Sequence, residues 1–483
     1  MFLVSVALLL LLLYLASRKP RGFPPGPARL PLVGFSPFLE THLTFKHMWR
    51  LSCTYGPVVG VYFGPQATVI VNGWEAVKES LNNEDLNGRP FNLYLHLAYN
   101  GVKGMMYVEE DLWKEQRRFT LHQFRNLGFS KRLHENIIQE EASELIQEMQ
   151  DADGSVSLQE LLGVSLVNIL WAVMGGTRFG RKDEHLLDLV NKVHKMFRAG
   201  ELGGGLVNAL PILLHVWPRD SNFYTVVDAR LLVLDFVRKA VEEHKATLDP
   251  DNPRDFIDIY INEIYKNQHN PDISFTEEQL SALCTDVFGA GVETGSSTVS
   301  FAVLLTILHP HVMHNMQQEL DSVVGQDRFP SMDDRNTLVY TEATLMEAFR
   351  HSGAAPLTIP HKALRNTTLM GHQIPANTMV MNNLYSVHMD PHYWDDPHLF
   401  RPERFINPDG SLRKDEHLIP FGKGRRICPG ESLARMTSFM LFAALFQRFT
   451  FALDPKVPVH NTEGKFGFTL GPPEFKVFAE PRF

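Results

Sequence analysis

Three cysteines occur in the 483 residues, Cys53, Cys284 and Cys428, and one of them stands in unusual company. Cys428 lies within "PFGKGRRICPG", Pro420 to Gly430, a basic, glycine-rich stretch built around a single thiol. Few, odd in number and far apart, the cysteines make neither a disulfide framework nor a CxxC zinc pair. A reducing compartment fits that usage. Cys53 and Cys284 read as buried, inert thiols, which leaves Cys428 as the candidate metal ligand or nucleophile.

Two further constellations carry polar groups where apolar ones are expected. Ala290-Gly291-Val292-Glu293-Thr294-Gly295 interrupts a long apolar run. Two glycines inside a helix cost about 1 kcal/mol each relative to alanine, and the Glu–Thr pair needs partners if buried. A notch for a crossing helix would explain the glycines. The coincidence of small residues with an acid and an alcohol favours a functional notch. Glu347 and Arg350 are spaced i, i+3 and share a helical face. Arg404, in the Pro- and aromatic-rich segment "DPHYWDDPHLFRPERF", is placed to join them in a buried network that would lock an ordered, irregular coil.

The element that carries Glu293 and Thr294 must be long. Thr276 followed by Gln279 is a capping-box start and Pro310 a stop, predicting a helix of roughly 48 Å through the core of a large domain. "RLHENIIQEEASELIQEMQDA" and "DARLLVLDFVRKAVEEHKATL" have helical periodicity, and "GPQATVIVNG" holds a short strand. Without repeats or an internal linker, the chain reads as one large domain. Hydrophobic residues make up 44% and the net charge is −9, which gives no basic footprint for nucleic acid. Met1 to Ala16 is apolar except for Ser5 and is followed by Arg18, Lys19 and Arg21. An uncleaved signal-anchor over residues 1–18 is favoured over a cleaved signal peptide, with the body on the cytosolic side. The prolines of residues 19–35 predict a stiff hinge between membrane and body, and residues 36–483 form the catalytic domain.

Phe421-x-x-Gly424-x-Arg426-x-Cys428-x-Gly430 is a five-point pattern that ordinary composition yields in on the order of one chain in ten thousand. It resembles the haem-binding signature of the cytochrome P-450 superfamily. The resemblance implies a mainly α fold, a helical triangular prism with small β-sheets, behind the N-terminal anchor. It implies haem b held by the Cys428 thiolate as iron ligand, with Phe421 packed on the sulfur side and Arg426 on a propionate. Trp113-x-x-x-Arg117 is similar to the family's propionate-holding helix, and His361 falls where another propionate partner is expected. Ala290 and Gly291 would border the cofactor, with Glu293 and Thr294 as the oxygen-activating pair. One departure is Gly295, where many relatives carry a second hydroxyl residue; the helix is expected to open there.

The implied activity is a monooxygenase inserting one atom of O2 into a neutral lipophilic substrate, with electrons from NADPH through NADPH–cytochrome P-450 reductase and with cytochrome b5 as a further partner. The endoplasmic reticulum membrane is the implied location. Arg117, Arg118, Arg125, Lys131, Arg132, Lys423 and Arg425 are the expected docking cations. A haem-thiolate isomerase or dehydratase, and a non-catalytic haem sensor, are the rival classes. Pocket segments by resemblance are Leu93–Met106, Phe197–Val207, Phe288–Thr294, Ala354–Ile359 and Phe468–Leu470, with Ala199–Leu206 as an access lid. "KPRGFPPGPARLPLVG" and "WKEQRRFTLHQFRNLGFSKR" are most similar to insect members of the clan that includes methyl farnesoate epoxidase. A sesquiterpenoid is therefore the first candidate substrate, with a steroid such as an ecdysteroid, or a xenobiotic, as the alternative.

Overall fold

The computed structural model describes residues 18–483 apart from residues 32, 41, 129–131, 202–206, 209, 217, 220 and 270–273. The expected anchor, most of the expected lid, and Lys131 lie outside the described residues. In chain order the helices are α1 (Thr44–Tyr55), α2 (Trp74–Asn82), α3 (Leu93–Tyr99), α4 (Glu110–Asn126), α5 (Arg132–Gln150), α6 (Leu158–Met174), α7 (Glu184–Ala199), α8 (Asn222–Thr247), α9 (Phe256–Lys266), α10 (Glu277–Leu308), α11 (Pro310–Val323), α12 (Val339–His351), α13 (Leu384–His388) and α14 (Glu431–Arg448). Strands are few and short. β1 (Val58–Phe63), β2 (Gln66–Val71), β6 (Met379–Asn382) and β3 (His361–Lys362) form one sheet in that order, with β1–β2 and β6–β3 antiparallel and β2–β6 parallel. The pairs β4 (Thr367–Leu369) with β5 (His372–Ile374), β7 (Phe449–Leu453) with β10 (Val477–Pro481), and β8 (Lys465–Phe466) with β9 (Leu470–Gly471) complete the strands. The mainly helical expectation holds.

α10 is the axis of the domain, and it begins and ends where the sequence predicts. Thr276 Oγ1 accepts the N–H of Gln279 at 3.1 Å. The reciprocal half of the capping box is absent. The Gln279 amide instead pairs with the backbone of Gly104, accepting its N–H at 3.1 Å and donating to its carbonyl at 2.7 Å. Pro310 stops α10 and opens α11. α10 is long and apolar enough to cross a membrane by composition, yet most of it is buried inside the protein.

α6, itself apolar, packs against α10 at the two glycines. A Cβ at Gly291 would lie 2.5 Å from Leu170 Cδ1, and one at Gly295 would lie 2.7 Å from Leu166 Cδ1. Each glycine admits one leucine of α6, so the notch is a helix-packing device at both positions. The Cβ direction of Gly291 is the one taken up by α6. One expectation is corrected: α10 runs through Gly295 as continuous helix without opening.

The predicted lock of the 390–405 coil is present. Arg350 donates to both oxygens of Glu347, from Nε at 2.7 Å and Nη2 at 2.8 Å, and Arg404 Nε donates to Oε1 at 3.0 Å. Arg350 also donates to the carbonyls of His388 and Pro397, both at 2.8 Å, so all three side chains are spent on holding the coil. The proline-rich segment expected as a stiff hinge is docked on the sheet. Lys19 Nζ donates to the Gly60 carbonyl at 2.8 Å, Gly60 N–H to the Pro25 carbonyl at 2.7 Å, and Phe23 and Pro24 are buried against the sheet. Cys284 is buried as expected, but Cys53 is exposed on α1.

The α6–α10 contact is testable. Gly295→Val should lower the melting temperature of the folded protein through an overpacking cost of about 1–3 kcal/mol, and Leu166→Ala in the same chain should recover part of that loss. Strictly additive effects in thermal melts would show that the two positions do not share one space.

Candidate functional site

The Cys428 loop is held by backbone geometry. Gly424 has φ +76°, and a Cβ there would lie 2.1 Å from the Leu81 carbonyl, so only glycine fits. Cys428 N–H donates to the Phe421 carbonyl at 3.0 Å, closing the loop so that the thiol sits just before α14. Phe421 packs on Phe349 with ring centroids 5.4 Å apart and lies under the Arg435 guanidinium at 4.9 Å. Burial pushes the Cys428 thiol above its ordinary pKa. The N–H of Gly430, the Arg117 guanidinium and the N–H of Glu431 pull the other way, while the Glu431 carboxylate adds to the rise. These donors of a helix N-terminus are arranged for a thiolate, and a coordinated metal ion is what deprotonates such a thiol outright.

Near this loop the chain collects cations. Arg426 stacks over the Trp113 ring at 4.1 Å and Arg117 lies 5.7 Å from the same ring. Arg426 donates to the carbonyls of Asn87 and Val108, both at 3.0 Å, and Arg117 to that of Ile427. His361 Nδ1 bonds the Leu86 carbonyl at 2.9 Å. The sequence reading missed a fourth member, Arg89, which donates to the carbonyls of Met106, Ile359 and Pro360. The signal for it was thin, a lone arginine in "NGRPF". Burial, then Arg89, and further on Arg117, bring Arg426 down to about 8, against Glu109. Burial also brings Arg89 down to about 10. His361 is lowered well below its ordinary value by burial, then by Arg89 and Arg426. The nearby carboxylate, Glu109, is already paired with Lys362. Buried guanidinium groups held mainly by carbonyls lack the anion that would offset their desolvation. Two carboxylates of a haem b would supply it, so the donor set fits that cofactor: a thiol on one side and an unneutralised cation cluster beside it.

Glu293 and Thr294 are adjacent in sequence but turned apart. Thr294 Oγ1 donates to the Ala290 carbonyl at 2.7 Å, tying Ala290 and Thr294 on one helical turn. Glu293 is fully buried, and its carboxylate is taken by His194 Nδ1, Arg198 Nη2 and Ser297 Oγ, the last at 2.9 Å. His194 and Arg198, one turn apart on α7, were not singled out from sequence; their spacing from Glu293 carries no local signal.

The described parts of the expected pocket segments converge. Phe468 N–H donates to the Phe197 carbonyl at 2.8 Å, and Leu470 N–H to the Ala354 carbonyl at 2.8 Å. The Phe468 ring meets Tyr94 at 5.7 Å and Phe197 at 6.0 Å, and a Cβ at Gly289 would lie 3.7 Å from Phe197. The expected docking cations are less uniform. Arg118 and Arg125 are exposed. Arg425 pairs with Glu84, Lys423 lies 5.5 Å over the Trp74 ring, and Arg117 faces the interior cluster.

Residues 24–479 match the family model described as Cytochrome P450. Farnesoate epoxidase of Bombyx mori is 34% identical over an alignment covering 100% of this chain and 99% of that protein. Cytochrome P450 2C55 of Rattus norvegicus is 36% identical, with 98% and 97% covered, and cytochrome P450 2C8 of Homo sapiens 34%, with 97% and 96% covered. The matched region runs through the cysteine loop, the cation cluster and α10 alike. By that match the chain belongs to the cytochrome P450 family.

Proposed function

We propose that this enzyme, a haem-dependent cytochrome P450 monooxygenase, oxygenates a neutral sesquiterpenoid such as methyl farnesoate. The observation that carries the lipophilic reading is the apolar convergence of Tyr94, Phe197, Ala354 and Phe468 beside Gly289 of α10. An unpaired charge placed there would be costly. The sesquiterpenoid draws support from similarity to the Bombyx mori farnesoate epoxidase. Hydroxylation of a steroid or xenobiotic is the second reading, favoured by equal similarity to cytochromes P450 of the 2C group.

Bound haem supplies activation of O2 at an iron held by thiolate; the chain supplies the rest. Cys428 is the iron ligand. Arg89, Arg117, Arg426, Trp113 and His361 hold the two propionates. Ala290 would border the bound group, and Thr294 with Glu293 would deliver protons to it. NADPH–cytochrome P-450 reductase provides electrons, docking on exposed cations that include Arg118 and Arg125. Cytochrome b5 is a further donor. Residues 1–18 anchor the enzyme in the endoplasmic reticulum membrane, and the Lys19–Phe35 segment, docked on the sheet, fixes how the body sits against it.

Three outcomes are expected. Cys428→Ala should abolish the thiolate-type Soret band of the ferrous CO complex, while Cys53→Ala and Cys284→Ala keep it; the reverse pattern would reassign the ligand. Thr294→Ala should retain haem and ligand binding while product per NADPH falls by about 10-fold or more and peroxide rises; an unchanged yield removes the role. A ferric spin-shift screen followed by NADPH turnover should select methyl farnesoate over sterols and over charged compounds. Sterol preference would favour the second reading, and binding of charged compounds alone would remove both.

A further inference from the structure

We propose that the cleft between the proline segment and α1 binds the phosphate of an anionic phospholipid headgroup. The proposal rests on the reading of residues 1–18 as a membrane anchor, because Lys19 follows that segment directly. β1 is the outer strand of its sheet, and an outer strand leaves backbone N–H and C=O groups to be covered. The Pro25 carbonyl accepts the Gly60 N–H at 2.7 Å, and Lys19 Nζ donates to the Gly60 carbonyl at 2.8 Å. Gly26 permits the approach, since a Cβ there would lie 2.1 Å from the Gly60 oxygen. Covering the strand edge in this way leaves a cleft of about 390 Å³, lined by Lys19, residues 23–29 and Tyr55 at the C-terminal end of α1.

The cleft is charged on one side of the ledger only. Its lining carries two cations, Lys19 and Arg29, and among its described residues no carboxylate. Burial brings Lys19 down to about 8 with no acid pulling the other way, so the group stays mostly charged at neutral pH and is not neutralised by the chain. An ammonium has three N–H donors, and Gly60 takes one of them. Arg29 lies over the Tyr62 ring at 3.9 Å, a cation–π contact and not an ion pair, and its Nε is buried without a hydrogen-bond partner. Gly60 and Tyr62 are two residues apart on β1, roughly 7 Å by strand geometry. Both cations are therefore held over one short length of the strand edge. The Tyr55 hydroxyl adds a neutral donor to the same lining. A phosphate has oxygens enough to accept from an ammonium, a guanidinium and a phenol together, and its charge offsets the desolvation of the two cations. Two cations repel the ammonium of a zwitterionic headgroup, so a headgroup of net negative charge is selected. Free phosphate offers the same oxygens. Position favours the lipid: Arg18, Lys19 and Arg21 stand where the chain leaves the expected anchor, at the level of an anionic leaflet's headgroups.

The test uses the full-length, haem-loaded protein and acylation of lysines by an amine-reactive ester, read by mass spectrometry as the rate at Lys19 relative to the exposed Lys239. In nanodiscs of phosphatidylcholine mixed with phosphatidylserine, Lys19 should react about 5-fold more slowly than in phosphatidylcholine alone. Arg29→Gln should remove most of that protection while the ferrous CO spectrum stays unchanged. Equal rates in the two discs overturn the site. Protection that survives Arg29→Gln overturns it as well, because the general negative potential of the leaflet then accounts for the effect. In detergent, monomeric short-chain phosphatidylserine should protect Lys19, and inorganic phosphate at the same concentration should not. Equal protection by the two would assign the cleft to free phosphate and overturn the lipid source. If the chain does not enter the discs, the anchor reading fails by itself, and the detergent arm decides the cleft.

Discussion

The buried charge network of Glu347, Arg350 and Arg404 is the constraint on which the placement of the cysteine depends. Arg350 is almost wholly enclosed, and removing one partner of such a pair costs about 3–5 kcal/mol because the other is left uncompensated. Arg350 fixes the His388 carbonyl, and the His388 ring nitrogen Nε2 accepts the Ile419 N–H at 3.0 Å. Ile419 immediately precedes the loop that carries Cys428. Burial and then Arg350 bring His388 down to about 3, which keeps that nitrogen a bare acceptor. A chain of three charged side chains and one neutral histidine therefore converts sequence on α12 into a fixed position for the thiol.

The cation cluster solves the opposite problem. In the network around Glu347 each charge meets its counterpart within the chain. Around Arg89, Arg117 and Arg426 the chain supplies carbonyls, one tryptophan face and little negative charge. Two buried charge clusters with such different balance in one domain mark different roles. The first is balanced within the chain; the second is held mainly by neutral carbonyls and one tryptophan face.

α10 separates the acid from the alcohol by helical geometry. Consecutive residues on a helix point about 100° apart. Thr294 lies with Ala290 on one turn, while Glu293 reaches toward α7. The same rotation turns Gly291 and Gly295 to α6, where two leucines fill the space their missing side chains leave. One six-residue stretch thereby packs against α6 with one face and presents an alcohol and an acid on two others.

Much of this was legible in the sequence because it is local. The spacing around Cys428 fixes a loop before a helix, the cap at Thr276 and the stop at Pro310 fix α10, and the i, i+3 spacing of Glu347 and Arg350 fixes their shared face. These depend on backbone geometry over a few residues, which sequence alone specifies. What lay beyond it is relational. The partners of Glu293 come from about a hundred positions upstream, and Arg89 joins the cation cluster through carbonyls as distant as Pro360. The proline segment docks on β1, and the glycine notch receives two leucines of α6. The residue types were visible, but which face of α10 meets α6 and which meets α7 follows from close packing of whole helices, and only the folded chain sets that.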